Sequence, residues 1–82
     1  MSGESTERGH VVTAHELGRL VRLHRKKRGL TLEMVSGLSN LGIRFLSEFE
    51  RGKETAEIGK VLKALHVLGL EVHIRPRGAG GS

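Results

Sequence analysis

Thr31-Leu32-Glu33-Met34-Val35-Ser36-Gly37-Leu38-Ser39-Asn40-Leu41-Gly42-Ile43-Arg44-Phe45-Leu46-Ser47-Glu48-Phe49-Glu50 decides the fold of this chain. Thr31 is a residue type that opens helices, because its hydroxyl accepts a hydrogen bond from an otherwise unpaired backbone N–H. Leu32, Val35 and Leu38 then recur at helical spacing and are expected to face inward, with Met34 as a flexible contact. Ser39-Asn40-Leu41-Gly42 reads as a turn, in which Asn40 tolerates the left-handed backbone region. A second short helix is expected from about Gly42 to Arg51, with Leu46 and Phe49 on its inner face. These two belong to a run of short helical patterns between the tails, with further helices beside them.

Those helices lie on either side. Upstream, Thr13 and Glu16 have the spacing of a capping box. Leu17, Leu20, Val21 and His24 follow at helical spacing, and Gly29 stops the helix after the cations Arg25-Lys26-Lys27-Arg28. Downstream, Gly52 closes the central unit. Glu54 or Thr55 is expected to begin a fourth helix with Ile58, Val61, Leu62, Leu65 and Leu68 as its apolar stripe and Gly69 as its stop. Leu70, Val72 and Ile74 then alternate with Glu71, His73 and Arg75, the period-two pattern of a half-buried strand, and Pro76 ends it. A lone strand needs a partner for its backbone groups. This chain offers no second strand pattern, so the same strand of a second copy, paired across a two-fold axis, is the economical partner. The alternative is an extended tail lying on the helices. Residues 1–12 and 76–82 read as polar, Gly- and Ser-containing tails flanking one domain over 13–75.

Composition narrows the function. At 82 residues without a cysteine, the chain holds one small domain and neither a disulfide scaffold nor a thiol nucleophile. No apolar run approaches the roughly 18 residues of a membrane span, and the polar, acidic start does not resemble a secretory signal. Two phenylalanines are the only aromatic residues, too few for a base-stacking platform. A net charge of +5 favours a polyanionic partner, with a solvated basic surface as the alternative. The six cations from Arg19 to Arg28 leave the same choice open.

A helix, a tight turn and a second helix form a DNA-reading unit when the second helix presents polar or basic side chains near its N-terminal end. If Leu46 and Phe49 face inward, Ile43, Arg44, Ser47 and Glu48 face out. Arg44 can bond the O6 and N7 edge of guanine in two places. Ser47 can bond a base or a phosphate, and Ile43 and Phe45 can touch a thymine methyl. Glu48 can accept from a cytosine amine or repel a wrong phosphate. Arg44 as a solvated surface arginine, and the whole bundle as a protein–protein adaptor, remain open on these residues alone.

Arg25, the run Gly29-Leu30-Thr31-Leu32-Glu33 and the run from Ile43 to Lys53 together resemble the phage-repressor-type (Xre) helix-turn-helix family, over about Glu16 to Leu70. The strand after the fourth helix, with Thr55-Ala56-Glu57-Ile58-Gly59-Lys60, resembles the HipB antitoxins in particular. The resemblance implies a mostly α, lambda-repressor-like bundle of four to five helices with one C-terminal β-strand (Leu70, Val72, Ile74) pairing across a homodimer. It implies a repressor on an inverted-repeat operator in double-stranded DNA. It also implies a HipA-like kinase toxin as a further partner, unless the chain is a toxin-free phage or restriction-system controller. Arg25 and Glu50 match a partly buried structural salt bridge, Thr31, Arg51 and Lys53 match phosphate contacts, and Arg44 and Ser47 match base-reading positions. Two departures stand out. Leu32 takes a position usually held by glutamine, and Gly42 replaces the Ser or Thr at the start of the reading helix. Phe45 is larger than usual and can rest against DNA sugars or pack on protein. The expected location is the bacterial cytoplasm, at the nucleoid.

Catalysis is not expected. His15-Glu16 starts like a zinc-protease signature but lacks the second histidine. His10 falls in the N-terminal tail, His24 and His66 lie near apolar stripes, and His73 is on the outer face of the strand. No nucleophile and base share a usable spacing, so no cofactor or metal is assigned.

Overall fold

The computed structural model describes residues 9–77. Four helices are found there: α1 (Ala14–Lys27), α2 (Leu32–Ser39), α3 (Ile43–Glu50) and α4 (Ile58–Val67). Each of the first two begins where a side chain can cap it. Thr13 Oγ1 accepts from the Glu16 N–H at 3.1 Å, while Glu16 Oε1 accepts from the N–H groups of Thr13 and Val12 at 3.2 and 2.7 Å. Those bonds, Val12 first, hold the Glu16 carboxyl below the usual carboxylate range. Thr31 Oγ1 accepts from the Met34 N–H at 3.1 Å and opens α2.

The turn between α2 and α3 is three residues, and all of its geometry is accounted for. Asn40 takes the left-handed conformation (φ 62°, ψ 28°) and ends α2. Ser39 is fully buried, donates to the Val35 carbonyl at 2.6 Å and accepts from the Leu41 N–H at 3.3 Å. Ser36 donates to the Leu41 carbonyl at 2.6 Å. Leu41 drops into the core between the two helices. The crossing of α2 and α3 is therefore fixed by an apolar anchor and by side chains that satisfy the turn's backbone.

One core unites the helices, built from Val21, Val35, Leu41, Leu46, Phe49, Val61, Ala64, Leu65 and Leu68. α1 lies so close to the end of α3 that a side chain at Gly18 would overlap the carbonyl oxygen of Phe49 and lie 2.6 Å from that of Glu50. Gly52, at φ 95°, turns the chain away from α3 against the backbone of His15. The far end of the bundle is tied through one carbonyl. His24 Nε2–H and Arg28 Nη1 both donate to the Leu68 oxygen, at 2.9 and 2.7 Å, linking the end of α1 to the end of α4.

Several expectations change. Leu38 and Met34 are 66% and 51% exposed, because α2 has only two turns and Val35 with Ser39 takes its inner face. α4 starts at Ile58 rather than at residue 54 or 55. Ala56 packs against the core in the crossing from α3, and this holds residues 54–57 out of the helix. Ile58 and Leu62 therefore face outward, and the inner stripe is Val61, Ala64, Leu65 and Leu68. No strand occurs among the described residues. Leu70 packs on the core, but residues 71–76 have no regular hydrogen-bonded structure and all are exposed. A strand exists only when a second strand pairs with it, and one copy of this segment has none within reach.

Candidate nucleic-acid interface

The outer face of α3 follows from its inner one. Leu46 and Phe49 are buried, so Arg44, Ser47, Glu48 and Arg51, at spacings of three, four and seven, line the opposite side. Arg44 extends furthest, its side chain 91% exposed, and Glu48 beside it is 27% exposed. Ile43 sits at the N-terminal end of this face, 42% exposed. Arg51 and Lys53 lie on the bend after α3, around a shallow open cleft shared with Glu48 and Gly52. The structure thus gathers Ile43, Arg44, Ser47, Glu48, Arg51 and Lys53 on and just beyond one helix. Thr31 is exposed at the start of α2. Its hydroxyl is engaged in the cap, and the N–H groups of a helix's first turn suit an anion.

Phe45 does not join this face. Its ring stacks near parallel to that of Phe49, with 6.2 Å between centroids, and the Lys60 ammonium stands 5.7 Å from its centre. It is half-buried against the core, toward α4. The extra size of this side chain is therefore absorbed by packing within the chain, the second of its two expected placements, rather than by joining the base-reading candidates on the outer face.

Arg25 and Glu50 form the support beneath the site. Arg25 Nε and Nη2 donate to the two carboxylate oxygens of Glu50 at 2.7 and 2.9 Å, and Nη1 donates to the Leu30 carbonyl at 2.8 Å. Both side chains are under a tenth exposed. The hydrogen bond to Glu50 pushes the Arg25 pKa up from its ordinary value. One guanidinium thus joins α1, the loop before α2 and the end of α3.

The two departures read in the sequence have structural counterparts. Gly42 is the N-cap of α3 and makes no side-chain cap. Leu32 is half-buried against the core and presents no polar atom to its surroundings.

The sequence reading missed a pairing. Glu48 Oε2 accepts from Arg44 Nε at 3.3 Å, and Glu48 Oε1 accepts from Lys53 Nζ at 3.0 Å. These two cations, Lys53 first, hold the Glu48 carboxyl below the usual carboxylate range. The first contact has helical i, i+4 spacing and was readable. The second depends on the bend at Gly52. Among the described residues no group of three or more histidines and carboxylates converges as a metal would need, and no helix is long and apolar enough to cross a membrane.

A short capped helix, a three-residue turn through a left-handed asparagine and a second helix with a polar outer face define a known unit, and the family described as the helix-turn-helix domain matches residues 16–77. The chain belongs to the helix-turn-helix family. An uncharacterized HTH-type transcriptional regulator of Sinorhizobium fredii, y4mF, is 40% identical over 68 residues, covering 83% of this chain and 90% of that protein. Among solved structures, a HipB–O4 20mer complex superposes with a TM-score of 0.80 at 17% identity, over 85% of this chain and 99% of that one. A HipA–HipB–O2–O3 complex gives a TM-score of 0.79 at the same identity and coverage. These likenesses establish a helix-turn-helix bundle with the HipB fold, as the Xre-type resemblance implied.

Proposed function

We propose that this protein is a sequence-specific DNA-binding repressor that acts as a homodimer. The observation that carries this reading is the outer face of α3: Arg44, Ser47 and Glu48 together, flanked by Arg51 and Lys53, on a helix whose end is tied to α1 by the Arg25–Glu50 pair. A helix of that shape enters the major groove, where Arg44 reads guanine and Ser47 a base or phosphate. Thr31 at the start of α2, with Arg51 and Lys53, supplies the phosphate contacts that set register. Leu70, Val72 and Ile74 pair with their counterparts in a second copy. The two reading helices then stand roughly 34 Å apart, one helical turn of DNA, on an inverted repeat.

Within this reading the chain serves as the antitoxin of a module that represses its own operon and neutralises a HipA-like kinase. The HipB fold, and the occurrence of that fold in a solved HipA–HipB–O2–O3 complex, support it. A toxin-free regulator shares every feature of the DNA-binding face, and the adjacent reading frame distinguishes the two.

The test is fluorescence anisotropy on the DNA upstream of the chain's own start codon, against scrambled DNA. The upstream duplex is expected to bind more tightly, and Arg44→Ala is expected to relax that preference by about 1–3 kcal/mol. Equal binding of both duplexes by the wild-type chain would overturn the reading in favour of a basic adaptor surface.

A further inference from the structure

A carboxylate in the middle of a DNA-facing helix needs a physical account. Every phosphate repels it, and it weakens the sequence-independent grip that cations supply. Glu48 nevertheless stands at the centre of the exposed face of α3, and its two oxygens are each taken by a different cation, Arg44 and Lys53. The three side chains differ in freedom. Arg44 is 91% exposed and Lys53 48%, whereas Glu48 is 27% exposed. Glu48 is the least exposed of the three, and the two cations have the more open surroundings into which to swing. The loop is also fastened to Glu48 through its backbone, since the Lys53 N–H donates to the Glu48 carbonyl at 3.1 Å. Lys53 thus stays within reach of this carboxylate whatever its side chain does.

We infer that Glu48 is a specificity-determining counter-ion: it occupies Arg44 and Lys53 in the free protein and releases them only where the DNA sequence replaces both of its contacts. This rests on reading α3 as a DNA-reading helix. On non-cognate DNA, drawing Lys53 to a phosphate strips the carboxylate of a partner and leaves it facing phosphate charge. On a cognate half-site, Arg44 moves to the O6 and N7 of a guanine, and the freed carboxylate accepts from the N4 amine of a neighbouring cytosine. Lys53 then passes to the backbone at little electrostatic cost. Glu48 therefore weakens all binding, and weakens non-cognate binding more. The guanine is read by Arg44, but the penalty for its absence is exacted by Glu48.

The test is anisotropy titration of the full chain on the upstream and scrambled duplexes, between about 50 and 200 mM salt, the range over which phosphate contacts show most clearly. Four proteins are compared: wild type, Glu48→Gln, Lys53→Met and the double variant. Glu48→Gln is expected to bind scrambled DNA more tightly and to steepen its log affinity–log salt slope by about one per subunit, the slope of one added phosphate contact. The preference for the upstream duplex is expected to fall about three- to tenfold. In the Lys53→Met background, Glu48→Gln is expected to steepen the slope clearly less, because one of the two cations that Glu48 holds is gone and only Arg44 remains to be released. Gln keeps the size and one acceptor oxygen of Glu, and matching thermal melts of the variants show that the fold is intact. A wild-type preference that survives Glu48→Gln undiminished overturns the counter-ion role alone. So does a slope change of the same size with and without Lys53, which would mark a general field effect. A wild-type chain that does not prefer the upstream duplex overturns the repressor reading itself.

Discussion

Arg25 begins as one of six cations between Arg19 and Arg28, with no acid among them to single it out. Folding gives it a carboxylate, a carbonyl and almost no water, and so separates it from Arg19, Arg22, Lys26 and Lys27, which stay exposed. Removing one partner leaves the other charge nearly buried and alone. Glu50→Gln or Arg25→Met is therefore expected to cost about 3 kcal/mol in urea denaturation. The double replacement by Met is expected to cost less than the sum of the singles, because the isolated charge is what destabilises. Single losses under about 1 kcal/mol, the range of exposed pairs, would show that the bridge is only a surface contact. Charge identity was legible in the sequence here, but partnership was not. Nothing local distinguishes Arg25 from Lys26, and the family resemblance rather than the pattern pointed to Glu50, twenty-five positions away.

At the scale of elements, the helices that were easiest to read are those whose ends are settled locally. Thr13 with Glu16, Thr31 and Asn40 act through bonds to neighbours two to four residues away, and the structure has them as the residue types require. α4 was harder because its start is a packing decision. Ala56 is drawn into the core, and a helix beginning at Thr55 could not put it there. Leu38 shows the same limit: its spacing suits the inner face, but two turns of helix expose only so much inner face to fill. The contact between α1 and α3 yields a paired prediction. Gly18→Ala drives a methyl group into two carbonyl oxygens and is expected to destabilise the chain by about 2–3 kcal/mol. Gly37 lies in α2 with open space around it, and Gly37→Ala is expected to stabilise by about 0.5–1 kcal/mol. Chemical denaturation of both variants checks this, and equal shifts in one direction would contradict the packing of α1 on α3.

On the scale of the whole molecule, several large apolar side chains remain exposed. Val72 and Ile74 are 54% and 89% exposed on a segment with alternating polarity, and Ile58 and Leu62 are exposed on α4. A small core gains by covering such groups, and in the proposed dimer a second copy would supply both apolar cover and the missing backbone partners. The expected mass in sedimentation is twice 9.0 kDa. Val72→Asp with Ile74→Asp is expected to return the chain to the monomer mass while its helical circular dichroism persists, and to weaken operator binding at least tenfold, since two linked reading helices bind as one unit. A wild-type chain that sediments as a monomer at micromolar concentration would remove the paired strand from the reading.

The chain's own sequence determined what short-range physics controls: the caps, the left-handed turn at Asn40, the amphipathic period of each helix, and hence which face of α3 is free. These depend on bonds and spacings within about four residues, so a linear reading reaches them. Tertiary structure alone decided the rest. It turned Phe45 onto Phe49 and Lys60, held residues 54–57 out of α4, and set Lys53 across a bend so that Glu48 binds two cations. The first two depend on where α4 and the core lie, and the third on the bend at Gly52 against His15, so all of them wait on how the helices pack.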